Sequence, residues 1–155
     1  MVHHVPEGYH AVTPYLAING AAKALEFYKK AFGATEVMRM QEPSGKIVHA
    51  EIKIGDSHIM LADEFPDIEF QSPTSVGGAS ALLMIYVENA DAVFKQALEC
   101  GAQQTRALQD QFYGDRSGTL RDPFGHVWTV ATHVEDVPPD EMERRAQEYA
   151  QKQNA

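Results

Sequence analysis

Residues 109–136, QDQFYGDRSGTLRDPFGHVWTVATHVED, decide the fold. Within them Asp122-Pro123-Phe124-Gly125 reads as a tight turn, since proline pre-sets φ at the second position and glycine suits the fourth. The flanks, Ser117 to Arg121 and His126 to Thr132, are rich in Thr, Leu, Val and Trp, which fit a pleated, half-buried surface. The pattern predicts a hairpin. Alternation puts Trp128 on the core face, under the second helix, and Thr129 and His133 on the opposite face.

Working outward, Ala81 to Val87 reads as a strand, followed by a helix capped by Asn89, carrying Ala90, Val93, Phe94, Ala97 and Leu98, and ended by Gly101. The same order occurs earlier. His10 to Ile18 reads as a strand with Pro14 at an edge or bulge, Asn19 as cap, then Ala22, Leu25, Tyr28, Ala31 and Phe32 at helical spacing up to Gly33. Gly33-Ala34 and Gly101-Ala102 lie 68 positions apart. After the first helix come a strand at Thr35 to Gln41 and a turn at Glu42-Pro43-Ser44-Gly45. A hairpin about Gly55-Asp56 then pairs Ile54 with Ser57, Ile52 with Ile59, Glu51 with Met60 and His49 with Ala62. One hairpin face is apolar, with Val48, Ala50, Ile52, Ile54, Ile59 and Leu61. The other carries His49, Glu51, Lys53, His58 and Met60 and forms a candidate site wall. Residues 64–80 read as a connector. After Pro138-Pro139, a last helix is expected with Asp140 as cap and Met142, Ala146 and Tyr149 on one stripe. The prediction is an α+β fold in a single domain, 1–155. Two paired βαβββ units, 9–64 and 81–137, form a concave mixed sheet around a cleft, with a C-terminal helix at 138–155.

Composition narrows the function. With 22 acidic against 13 basic residues the net charge is −9, and no Lys/Arg run offers the footprint that nucleic acid or anionic lipid requires, so neither partner is expected. No apolar run approaches the roughly 20 residues that span a bilayer. The lone Cys100 cannot form an internal disulfide, and MVHHVPEGYH lacks the charged-then-apolar layout of a signal peptide. The expected location is cytoplasmic.

The paired units, Leu25-Glu26-Phe27-Tyr28 leading to Ala31-Phe32-Gly33, and Asp122-Pro123-Phe124-Gly125-His126 resemble the vicinal oxygen chelate superfamily of glyoxalases, bleomycin-resistance proteins and extradiol dioxygenases. Gln111 to Arg116 together with Ala131 to Asp136 resembles a glyoxalase/bleomycin-resistance-like branch. The resemblance implies a divalent metal held by His and Glu from the first and last strands of each unit. Here those positions map to Thr13, Met60, Leu82 and Thr129, where hydroxyl, thioether and alkyl groups are poor ligands. The usual metal site is therefore expected to be missing and no cofactor is required. A divalent metal remains possible at a displaced site of His49, Glu51 and His58, with His49 and Glu51 as candidate catalytic acid and base.

The loop Phe112, Tyr113, Asp115 and Arg116 is the densest polar-aromatic cluster. Its aromatic faces suit a flat ligand and its guanidinium a carboxylate or phosphate; equally, Asp115 and Arg116 can pair with each other or cap turns. With Met60, Thr13 and Thr129, these are the candidate ligand-binding residues. The expected function is that of a metal-free small-molecule binding protein. The alternative is a divalent-metal-dependent lyase, isomerase or dioxygenase. The resemblance further implies a homodimer that completes its clefts between chains.

Overall fold

The computed structural model describes residues 1–154. The first unit runs β1 (Tyr15–Ile18), α1 (Ala21–Phe32), β2 (Thr35–Gln41), β3 (Ile47–Ile54) and β4 (Ser57–Asp63). A connector follows with a 3-10 turn (Pro66–Ile68) and a one-turn helix α2 (Pro73–Val76). The second unit runs β5 (Leu82–Tyr86), α3 (Ala90–Glu99), β6 (Gln103–Asp110), β7 (Asp115–Arg121) and β8 (Val127–His133), and α4 (Pro139–Gln153) comes last. The strand orders are β1-β4-β3-β2 and β5-β8-β7-β6. In each the first strand is parallel to its neighbour and the other pairs are antiparallel. No ladder joins β1 to β5, so the two βαβββ units form two four-stranded mixed sheets, not one continuous sheet.

Local chemistry accounts for most boundaries. The β3–β4 hairpin has the predicted register about Gly55-Asp56, with Ile54 opposite Ser57 and Glu51 opposite Met60. Asn89 caps α3, its Oδ1 accepting from Ala92 N at 3.1 Å. Three predicted boundaries differ. β1 begins at Tyr15, not His10; Pro14 has no N–H to give a ladder, and contributes its carbonyl to Met60 N at 2.9 Å. Asn19 does not cap α1. Gly20 takes that position at φ 97°, and Asp63, from the end of β4, accepts from Gly20 N (3.1 Å) and Ala21 N (2.9 Å) while its other oxygen takes Ile47 N (2.7 Å). A distant carboxylate thus meets the positive end of the helix. α4 starts at Pro139, which leaves Asp140 inside its first turn instead of at the cap.

One buried cluster runs through both units. α1 contributes Leu25, Phe27, Tyr28 and Phe32, α3 contributes Phe94 and Ala97, and β8 contributes Trp128 and Val130. Trp128 is fully buried, as expected, but its ring contacts are to the first helix rather than the second, with centroids 5.3 Å from Tyr28 and 4.8 Å from Phe32. Beside it Asp122 joins the units. Its Oδ2 accepts from Tyr28 Oη (2.6 Å) and Trp128 Nε1 (2.9 Å), and its Oδ1 from the backbone of Phe124 (2.9 Å) and His126 (3.0 Å). Gly125, at φ 90°, closes this turn by donating to the Asp122 carbonyl at 3.1 Å.

Candidate functional site

Helices cover one face of each sheet, and the other face is left open. By register, the open face of the first sheet carries Tyr15 and Ala17 from β1, His58, Met60 and Ala62 from β4, His49, Glu51 and Lys53 from β3, and Met38 and Met40 from β2. Tyr15 leans across β4 beside the small pair Ala17 of β1 and Ala62 of β4, and its hydroxyl lies 2.6 Å from His49 Nδ1. His49 Nε2 lies 2.9 Å from Glu51 Oε2. A carboxylate can only accept, so Nε2 carries the proton; in a neutral ring Nδ1 then accepts from Tyr15, and the chain runs Tyr15 to His49 to Glu51. The side chains of His49 and Glu51 are 20% and 15% exposed, sheltered enough for their geometry to be held. Burial raises the Tyr15 phenol above its ordinary range. Phe70, from the connector, stands edge-on to the Tyr15 ring at 5.3 Å.

The open face of the second sheet carries Leu82, Met84 and Tyr86 from β5, Thr129, Ala131 and His133 from β8, and Asp115, Ser117 and Thr119 from β7. Here a buried carboxylate stands in the middle. Asp115 accepts from Tyr86 Oη at 2.9 Å and from His133 Nδ1 at 2.8 Å, and the other ring nitrogen of His133 lies 2.7 Å from Asp136. Hydrogen bonds to Asp115 and then Asp136 raise the His133 pKa above the usual imidazole range. Contacts between the two units run through the helix side and the strand edges, including His126 Nε2 donating to the Ala17 carbonyl at 2.9 Å.

Two cavities flank the junction of β1 and β5. One, of about 660 Å³, is lined by Thr13, His58, Met84, Tyr86, Asn89 and Trp128, and the other, of about 400 Å³, by Tyr15, Glu69, Phe70, Leu83 and His126. His58 does not join His49 and Glu51. It stacks on Tyr9 with centroids 4.0 Å apart, leaving Tyr9 Oη and His58 Nδ1 buried without a protein partner.

Of the predicted loop residues, only Asp115 reaches an open face. Arg116 forks onto Asp91 of α3 (2.8 and 2.9 Å) and reaches Asp110 (3.2 Å). Phe112 packs on Tyr149 of α4 at 5.1 Å and gives its carbonyl to Arg145, which also pairs with Glu135; Tyr113 sits edge-on to Phe112. Gly114, at φ 101°, gives its carbonyl to Val134 N and Glu135 N, and a Cβ there would collide with the Glu135 carbonyl oxygen. The loop therefore carries α4 in cis. Tyr15 and Tyr86 were not among the predicted site residues, because their roles depend on strand pairings that alternation alone does not reveal.

The model of the glyoxalase/bleomycin resistance protein/dioxygenase superfamily matches residues 8–130. The chain belongs to this superfamily. An uncharacterized protein of Mycobacterium tuberculosis is 40% identical over 136 residues, covering 86% of this chain and 80% of that protein. Two solved structures are similar in fold: a protein of Pseudomonas aeruginosa (TM-score 0.66, 24% identity, 80% of this chain and 98% of that one) and TioX from Micromonospora sp. ML1 (TM-score 0.62, 24% identity, 83% and 100%).

The divalent metal that this superfamily implies does not fit the residues at its four mapped positions. Thr129 spends its hydroxyl on Thr119 at 2.8 Å, Thr13 donates to the His10 carbonyl at 3.4 Å, Met60 offers a thioether and Leu82 nothing. Register brings Tyr15 beside Met60 and Met84 beside Thr129, and the one carboxylate it adds, Glu51 opposite Met60, is hydrogen-bonded to His49. Among the described residues no three His, Cys, Asp or Glu side chains converge as a metal site requires. Among the described residues no helix is long and apolar enough to cross a membrane.

Proposed function

We propose that this protein binds a small organic molecule against the open face of its first sheet, without the superfamily's usual metal ligands. The observation that carries this reading is the hydrogen-bonded line Tyr15–His49–Glu51, set among Met38, Met40 and Met60 on a face that the protein's own helices leave uncovered. An apolar surface with a few oriented polar groups is the usual composition of a ligand site. Methionine adapts its shape to an irregular partner. His49 and Glu51 are the pair able to move a proton there. Asp115 and Thr129 are assigned to the facing wall, Thr13 to its rim.

The chain has six methionines, so a ¹³C-methyl label gives few and assignable signals. Screening small organic fragments should shift Met38, Met40 and Met60 together; a screen that moves only Met1 and Met142 sinks the reading. The alternative, a metal-dependent lyase, isomerase or dioxygenase, draws on the contact between His49 and Glu51. Stoichiometric metal in protein purified without a histidine tag, lost in His49→Ala, would decide for it. We further propose a cytoplasmic homodimer in which each open face meets one of the partner chain. Tyr15, Met40, Leu82, Met84 and Tyr86 are 42–61% exposed, more large apolar surface than two solvated sheet faces ordinarily show. Sedimentation at micromolar concentration should give the dimer mass.

A further inference from the structure

We propose that the site on the first sheet selects a cationic amine with an apolar body, an inference that rests on the small-molecule reading above. Glu51 is the ground for it. Its side chain is 15% exposed, yet its only ionic contact among the described residues is to His49, and no Lys or Arg neutralises it. A partly sheltered carboxylate is screened less by water than an exposed one, and a cation placed against it is attracted more strongly. Lys53, two residues along on the same face, is exposed and makes no ion pair with Glu51, and His58 is turned onto Tyr9. The relay adds polarity in the same sense. While the His49 ring is neutral, Tyr15 points its proton inward, and its phenolic oxygen, like Glu51 Oε1, faces a ligand as an acceptor. The site therefore offers acceptors and negative charge, and asks for N–H donors and positive charge.

The surroundings suit the rest of such a molecule. The rings of Tyr15 and Phe70 present π-surfaces that attract a cation, and Met38, Met40 and Met60 give a polarizable apolar floor. The net charge of −9 favours the approach of a cation and disfavours an anion. A carboxylate or phosphate ligand would instead meet Glu51 without a compensating arginine.

Three near-isosteric probes test this on the full-length protein: 2-phenylethylammonium, 2-phenylethanol and 3-phenylpropanoate, titrated calorimetrically with the methionine methyl signals as the reporter of place. The ammonium should bind at least about tenfold more tightly than the alcohol, as a charge-assisted hydrogen bond requires, and the anion most weakly. Glu51→Gln should remove the advantage of the ammonium over the alcohol, so that the ratio of their two affinities falls to about one. Tyr15→Phe, a smaller change, should reduce ammonium binding severalfold and serves if Glu51→Gln does not fold. Equal affinity for ammonium and alcohol, or an undiminished preference in Glu51→Gln, overturns the cationic selectivity while the binding site stands. If no probe moves Met38, Met40 or Met60, both readings fall.

Discussion

Replacing Asp122 should unlock the two units from each other. Its carboxylate is 3% exposed and receives four hydrogen bonds, two from the fully buried side chains of Tyr28 and Trp128 and two from the backbone of its own turn. In Asp122→Ala the phenol and the indole become orphaned donors in the core, each costing about 1–3 kcal/mol, while the turn amides can recover water. The expected loss is about 3–5 kcal/mol, lowering Tm by roughly 10 °C in a chain of this size. Asp122→Asn keeps an oxygen for the turn amides but turns an N–H toward Trp128 Nε1, and should cost about 2 kcal/mol. Trp128 is the only tryptophan, so its fluorescence in a urea titration reports the transition without labelling. Tyr28→Phe removes one of the orphaned donors, so it should cost about 1 kcal/mol in the native background and close to nothing on Asp122→Ala. Asp122→Ala within about 1 kcal/mol of the native protein, or strict additivity with Tyr28→Phe, would refute the hub. Burial and Asp122 raise the Tyr28 phenol well above its ordinary value, so stability should hold below about pH 10 and fall above it, where unfolded tyrosines ionise and Tyr28 does not.

Other perturbations have equally definite outcomes. Glu36 is held at about 2 by hydrogen bonds from Arg39 and Lys29, so its stabilisation is present above pH 4.5 and lost as pH falls toward 2; Glu36→Gln should flatten that part of the stability curve by no more than about 1 kcal/mol after solvent screening. His133, with its pKa raised, stabilises the fold below its unfolded value near 6.5 and ceases to as pH rises through the folded one. An NMR titration should show it ionising above the usual imidazole range, and Asp115→Asn should bring it down; an unchanged midpoint would remove Asp115 as the cause. Glu69 is the one non-glycine residue with positive φ, at 60°, among those described, so Glu69→Gly should stabilise by about 0.5–1 kcal/mol in chemical denaturation, and a loss would show that its side chain is needed.

How much could be foreseen depended on distance along the chain. The β3–β4 register was legible because Gly55-Asp56 and strict alternation define it locally, between Ala50 and Leu61, and Asn89 was legible because its cap partner is three residues away. Asp63 as the cap of α1 acts over 42 residues, Tyr15 reaches His49 over 34, and Tyr28 reaches Asp122 over 94. Each of these needs the parallel β1–β4 pairing or the docking of one unit on the other, which no local propensity encodes. The loop at Phe112 to Arg116 shows the converse. Its composition suggested ligand contact, and only the third dimension shows that Arg116 is engaged by Asp91 and that Phe112 supports α4.

The two units make plain which part of each sheet is constrained by folding and which is not. On the helix side, equivalent rows repeat as Ala50–Leu61 against Gly118–Val130, and Ile52–Ile59 against Leu120–Trp128, all of them buried. On the open side the equivalent rows are Tyr15–Met60–Glu51 and Met84–Thr129–Thr119, and they share no chemistry. Both units nevertheless join a tyrosine, an imidazole and a carboxylate in one hydrogen-bonded line. The imidazole is central in the first, between Tyr15 and Glu51, and the carboxylate is central in the second, between Tyr86 and His133. Core packing tolerates little change in volume, whereas an open row is free to change as long as its polar groups find partners. The divergence between the two units therefore lies on the open side, where a change of residue leaves the shared core about Asp122 intact.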